Sequence, residues 1–165
     1  MRDSQSAPRR KLKVDFADLV QAMDFHSDEG SSHLDLRTGE IHVIDDDLLH
    51  CVEDDELDDL PAWQKDLIDI ARAVLKGDDF LEEIPHIDSA ESFDLMRDFV
   101  ARLDDGPARR RLEAAVAAPR PFRRFKDALF DFPELRERWF ELDNRAKAEM
   151  ARRWLDDIGV ELIEP

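Results

Sequence analysis

Two groups of side chains in this chain have the types and spacing to do chemistry. The first is His33, Asp35 and His42, followed nearby by His50 and Cys51. Imidazole and carboxylate groups on one rigid face are ligands for a divalent transition metal. The chain has no Cys-x-x-Cys, no His-Glu-x-x-His and no His pair at helical spacing, and Asp35 opposite His42 reads equally as a polar cross-strand pair. No metal or other cofactor is expected. Asp45-Asp46-Asp47 lacks the alternating ligands and turn glycine of an EF-hand loop. Cys51 sits among Asp and Glu, a setting that does not favour a nucleophilic thiolate, and no serine lies in a Gly-x-Ser-x-Gly elbow. None of the five glycines builds a phosphate-cradling loop. A non-catalytic protein is the favoured expectation.

The second group is basic: Arg120, Arg123, Arg124 and Lys126, with Arg136 beyond and the Arg109-Arg110-Arg111 run before. Guanidinium groups on a short helix suit phosphate or carboxylate recognition. Phe122, Phe125 and Leu129 fall at i, i+3 and i+7 and should point inward, which turns Arg123, Arg124 and Lys126 outward. The bland alternative is pairing with the protein's own acids. Glu134/Arg138, Glu141/Arg145, Asp143/Lys147 and Glu149/Arg153 are i,i+4 pairs with the acid first, the favoured order, and would occupy those cations. Arg120, Arg123 and Arg124 have no such local partner.

These residues depend on elements that the patterning marks out. Phe16, Leu19, Val20 and Met23 recur at helical spacing behind an Asp15 cap, and the Ser27–Ser32 stretch with Gly30 breaks that helix. His33–Ile44 alternates on both sides of Thr38-Gly39, predicting a hairpin with a two-residue loop. In that register Leu36 faces Ile41, Leu34 faces Val43 and Asp35 faces His42, the polar pair on the outer face. Residues 45–59 hold nine acids and little periodicity, predicting a solvated loop or fraying helix. A helix from Pro61 to Gly77 follows, then a short strand over 80–84, a third beside the hairpin. Asp88-Ser-Ala-Glu91 resembles a capping box for a helix ending at Asp105-Gly106-Pro107. Three further helices run through Leu112, through Phe125, and from Pro133 to Gly159. The expected fold class is α+β: a small antiparallel sheet with five to six helices and an all-helical C-terminal half. Residues 1–13 are expected to be a flexible basic tail on a single domain, 14–165.

Charge divides the chain unevenly. Residues 15–106 carry six Lys/Arg against 28 Asp/Glu, while residues 107–165 carry thirteen against twelve. Nucleic acid would have to overcome the repulsion of that acidic body and is disfavoured as a partner. One cysteine allows no internal disulfide, no apolar run reaches membrane-span length, and no apolar region follows the basic start. The cytoplasm is the expected compartment.

Several of these motifs occur together in a bacterial family. The segments are Leu34-Asp35 with Thr38-Gly39-Glu40, then Ile84-Pro85 with Ser89, Phe93, Met96 and Phe99. Phe122-Arg-Arg-Phe-Lys-Asp-Ala-Leu129 follows, then Pro133, Leu135, Arg136, Trp139, Trp154-Leu155 and Gly159. Over roughly residues 14–162 the chain resembles Uncharacterised Protein Family 0158, with Phe-Arg-Arg-Phe-Lys-Asp the most specific part. Pro119-Arg120-Pro121 departs from the family, which more often has a glycine-containing approach there. The resemblance implies a fold and a compartment but no activity. Three functions remain. The favoured one is an interaction or regulatory module with a protein partner, which a cluster of exposed Phe or Trp would mark. The second is a small enzyme or binder taking an anionic or phosphorylated ligand through Arg123 and Arg124. The third is nucleic-acid binding by the C-terminal third.

Overall fold

Alternation over the hairpin segment becomes the centre of a three-stranded antiparallel sheet. Strand β2 (Gly30–Asp35) lies between β3 (Ile41–Asp45) and β4 (Leu81–Glu83). The computed structural model describes residues 9–25 and 28–163, and by contacts the chain divides into two units. One unit combines Met1–His86 with Ala151–Pro165; the other is Ile87–Met150.

In the first unit, β1 (Arg10–Leu12) pairs in parallel with β5 (Val160–Leu162), Arg10 beside Val160 and Leu12 beside Leu162. Residues 10–12 were expected in the basic tail; residues 1–8 of that tail lie outside the described residues. Helix α1 (Phe16–Asp24) starts where expected, the Asp15 carboxylate accepting from the Asp18 N–H at 3.1 Å. It buries Leu19 and Met23. Residues 30–32, expected in a break, instead open β2. The acidic stretch after β3 forms a helix, α2 (Asp46–Glu53), because Leu48 is buried in a cluster with Ile44 and Ala71. The helix expected from Pro61 to Gly77 is split into α3 (Ala62–Lys65) and α4 (Ile68–Lys76). Gly77 ends α4 in the left-handed conformation, φ +69°, its N–H returning to the Ala73 and Val74 carbonyls.

The hairpin register differs from the expected one by two residues: Leu34 pairs with Ile41, Ser32 with Val43 and His33 with His42. The loop is longer because Asp35 organises it. The Asp35 carbonyl accepts from Gly39 N–H at 2.7 Å and Thr38 N–H at 3.3 Å, and the Thr38 hydroxyl accepts from the Glu40 N–H at 3.2 Å. Gly39 has φ +81°, and a Cβ there would stand 2.3 Å from the Lys13 carbonyl oxygen. A shift of two leaves each side chain on its face. The polar face is nonetheless not an outer one. His33 and Asp35 are as buried as Leu34 and Leu36, since β2 is the central strand.

The second unit is helical. It comprises α5 (Ser89–Ala101), α6 (Pro107–Ala117), α7 (Pro121–Leu129) and the part of α8 (Pro133–Asp157) up to Met150. The Asp88 carboxylate caps α5 through the Ala90 N–H at 2.9 Å. Proline begins α6, α7 and α8, where its fixed φ suits a helix and its missing N–H has no intrahelical partner to lose. The core centres on Phe99, Phe125 and Trp139, whose rings meet edge to face at 5.0–6.2 Å. Overall the α+β class holds, but with eight helices among the described residues rather than five to six, and the C-terminal half is not all helical because Val160–Leu162 forms β5 against β1.

Candidate interaction surface

Helix α7 buries Phe125, Ala128 and Leu129, which leaves Arg123, Arg124 and Lys126 in solvent as the spacing requires. Phe122 departs from the expectation: it is 38% exposed at the first turn, touching Phe93 edge-on with centroids 6.4 Å apart. A position in the first turn has no preceding turn to cover it, so the i, i+3, i+7 stripe is open at its start. Arg120 precedes the helix in the left-handed region, φ 55° and ψ 57°, costly for a residue with a Cβ. Arg124 holds that turn, its Nε donating to the Pro119 carbonyl at 2.9 Å. Among the described residues the side chains of Arg120, Arg123 and Lys126 have no hydrogen bond or ion pair.

Other arginines are occupied locally. Arg109 donates from Nε to Glu113 at 2.8 Å and from Nη1 to the Leu103 carbonyl at 3.0 Å. Arg111 pairs with Asp131 and stands over the Phe132 ring. Arg136 is held differently: its guanidinium lies 5.0 Å from the Phe130 ring centre and 5.3 Å from that of Phe140. Cation–π contacts of this kind survive exposure to water because the guanidinium is weakly hydrated. Both rings are open to solvent, Phe130 at 68% and Phe140 at 43%.

Phe130 and Phe140 were not singled out by periodicity, which marks one face of a helix and does not say what covers it. Phe130 is the residue that closes α7, at its C-cap, so its ring belongs to no stripe. Of the expected i,i+4 pairs on α8, Asp143/Lys147 closes at 2.8 Å, whereas Glu134/Arg138, Glu141/Arg145 and Glu149/Arg153 do not close among the described residues.

The residues considered as metal ligands are also placed. On the sheet, Asp35 accepts from Arg37 three times: from its backbone N–H at 2.9 Å, Nε at 3.1 Å and Nη2 at 3.0 Å. The Arg37 guanidinium lies 3.6 Å above the Phe80 ring. Burial alone would raise the Asp35 carboxyl, but these hydrogen bonds and the neighbouring positive charge outweigh it and hold the group below the usual carboxylate range. His42 Nε2 lies 3.7 Å from Asp35 Oδ2 and 3.9 Å from Glu40 Oε2, and it is a buried atom with no hydrogen-bond partner. His33 Nε2 lies 2.8 Å from the Ser31 hydroxyl. Burial lowers the His33 imidazole below its ordinary value; Glu83 opposes this and His42 adds to it. His50 and Cys51 lie on α2, and His50 is exposed. Among the described residues no three His, Cys, Asp or Glu side chains gather as a metal-holding set.

No described helix is long and apolar enough to cross a membrane. A family model described as an uncharacterised protein family, UPF0158, matches residues 9–163. The chain is similar to the "UPF0158 protein PA5073" of Pseudomonas aeruginosa, 28% identical over 153 residues that cover 92% of this chain and 87% of that protein. No solved structure matches. The sheet that carries Leu34-Asp35 and the helix that carries Phe-Arg-Arg-Phe-Lys-Asp are thus parts of one shared pattern, and the chain belongs to the uncharacterised protein family UPF0158.

Proposed function

We propose that this protein is a non-catalytic interaction module of the cytoplasm whose Ile87–Met150 unit docks an acidic protein surface. The observation that supports the reading is the exposed Phe130–Arg136–Phe140 stack. Aromatic rings and arginine are enriched among the side chains that dominate binding energy at protein interfaces. Arg123 and Lys126 on α7 add positive charge with no internal partner among the described residues, and Arg124, tied through Nε to the Pro119 carbonyl, adds a third exposed cation. Residues 107–150 carry eleven Lys/Arg against eight Asp/Glu, so the complementary partner is acidic with apolar pockets for the rings.

The test compares wild type with a Phe130→Ser/Arg136→Gln double variant in affinity capture from the host cell at low and high salt. The expected result is an acidic partner held by wild type at low salt, released by salt and absent from the variant. A partner retained by the variant, or no salt-sensitive partner at all, refutes the reading. Light scattering supplies a third arm: self-association abolished by the same substitutions would replace the acidic partner with a second copy and sink the proposal.

A further inference from the structure

Within the Ile87–Met150 unit, α5 and α8 carry two stripes of similar design. Leu95, Asp98 and Phe99 on α5 and Arg102 at its C-cap recur at i, i+3, i+4 and i+7. On α8, Arg138, Glu141, Leu142 and Arg145 recur at the same intervals. The two stripes line one cleft of about 310 Å3. Its floor is apolar and fixed: Leu95 and Leu142 are half-buried, and buried Phe99 is held edge-on by Phe125 and Trp139. Its rim is three exposed guanidiniums, Arg102, Arg138 and Arg145.

Local pairing should have closed these cations. Asp98/Arg102, Glu134/Arg138 and Glu141/Arg145 all have the favoured acid-first i,i+4 order. Yet among the described residues none of the three guanidiniums makes a hydrogen bond, ion pair or ring contact. Pairs at i,i+4 close elsewhere in the unit, at 2.8 Å for the acid-first Asp143/Lys147 and at 2.8 Å even for the reversed Arg109/Glu113. Three unpartnered forks around an apolar floor suit an oxyanion attached to something that prefers the floor to water. Asp98 and Glu141 also stand on the rim. They repel a bare polyanion and can accept from a hydroxyl, so they favour an organic anion of low charge over an inorganic one.

We infer that this cleft binds a small organic oxyanion, a carboxylate or phosphate monoester on a compact apolar group of about the size of an aryl ring. It lies on a different flank of α8 from Arg136 and Phe140, 100° per residue placing Arg138 and Arg145 roughly opposite them. The cleft is therefore separate from the docking surface on α8.

The test titrates phenyl phosphate and benzoate into the full chain by calorimetry at low ionic strength, with inorganic phosphate and benzyl alcohol as controls. Saturable binding of at least one aryl anion is expected, with a Kd of about 1 mM or tighter for a ligand this small. It should be about ten-fold tighter than either control. An Arg138→Gln/Arg145→Gln variant should weaken it about ten-fold, and Arg123→Gln should leave it unchanged. Which of the two anions binds identifies the headgroup. Both substituted residues are exposed, and an unchanged circular dichroism spectrum confirms that the variant is folded. No saturation with either aryl anion, affinity matched by inorganic phosphate, or binding that survives the double variant overturns the inference.

Discussion

Replacing Asp35 by Asn tests whether the buried carboxylate, rather than the hairpin pattern, sets the structure of the turn. The side chain is nearly isosteric, so the change removes charge and one acceptor while keeping shape. In the folded protein one Asp35 oxygen accepts from the Arg37 backbone N–H and Nε, and the other accepts from Nη2. An amide keeps an acceptor for the first oxygen's partners but turns an N–H toward Nη2, so one charge-assisted hydrogen bond is lost. Such a bond contributes about 1.5–3 kcal/mol. Arg37 is 55% exposed, and solvent screening moves the loss to the low end, about 1–2 kcal/mol. In urea this lowers the midpoint by roughly 0.5–1 M for a slope near 2 kcal/mol/M. The sign with pH is fixed by the depressed Asp35 carboxyl. A folded-state value below the unfolded one gives stability that is present above about pH 3.9 and lost as pH falls through the folded value. The difference between wild type and Asp35→Asn should therefore be full at neutral pH and shrink below about pH 4. Urea unfolding followed by circular dichroism at neutral pH and at steps into the acid range measures it. A difference under about 0.5 kcal/mol at neutral pH, or one that does not change with pH, refutes the reasoning.

Three further substitutions probe other parts of the structure. Gly39→Ala adds a Cβ 2.3 Å from the Lys13 carbonyl at a position with φ +81°, and should cost more than about 2 kcal/mol by thermal unfolding. Trp139→Ala opens a hole beside Phe99 and Phe125 and should cost about 3–5 kcal/mol, with loss of ring-shifted aromatic proton signals of those neighbours. Arg120→Gly relieves a left-handed strain of about 1–2 kcal/mol at an entropic cost of about 0.5–1 kcal/mol, so the melting temperature should rise slightly; a fall would show that the Arg120 side chain stabilises its turn.

What could be read from the sequence is what neighbouring residues decide among themselves. Asp15 and Asp88 cap helices through amides three and two residues away, and Gly77 ends α4 with its own φ. Hairpin faces were legible because alternation has a fixed period, but register was not. It depends on Asp35 gathering the Arg37, Thr38 and Gly39 amides, and on Lys13 lying against Gly39. Strand β5 had no local signal, since three residues become a strand only through a partner near the other end of the chain. The α2 stretch looked solvated because acids outnumber apolar residues, yet burial of Leu48 decided its state. At the candidate sites, the outward turn of Arg123 and Arg124 follows from spacing. Arg138 and Arg145 were hidden by acids placed to pair with them, a placement that permits a contact without making one.

The parallel pairing of β1 with β5 gives this chain an order of assembly. The ribosome synthesises all of Ile87–Met150 before Val160–Leu162 exists, so the helical unit has its full sequence while β1 still waits for a partner. Closing a loop of that length costs only slowly growing entropy, but it cannot begin until Val160–Leu162 has been made. A chain stopped between Met150 and Val160 would carry a helical unit with its core sequence intact, joined to a neighbour with an unpaired strand edge. Quality control that recognises exposed strand edges would meet the truncated product at β1.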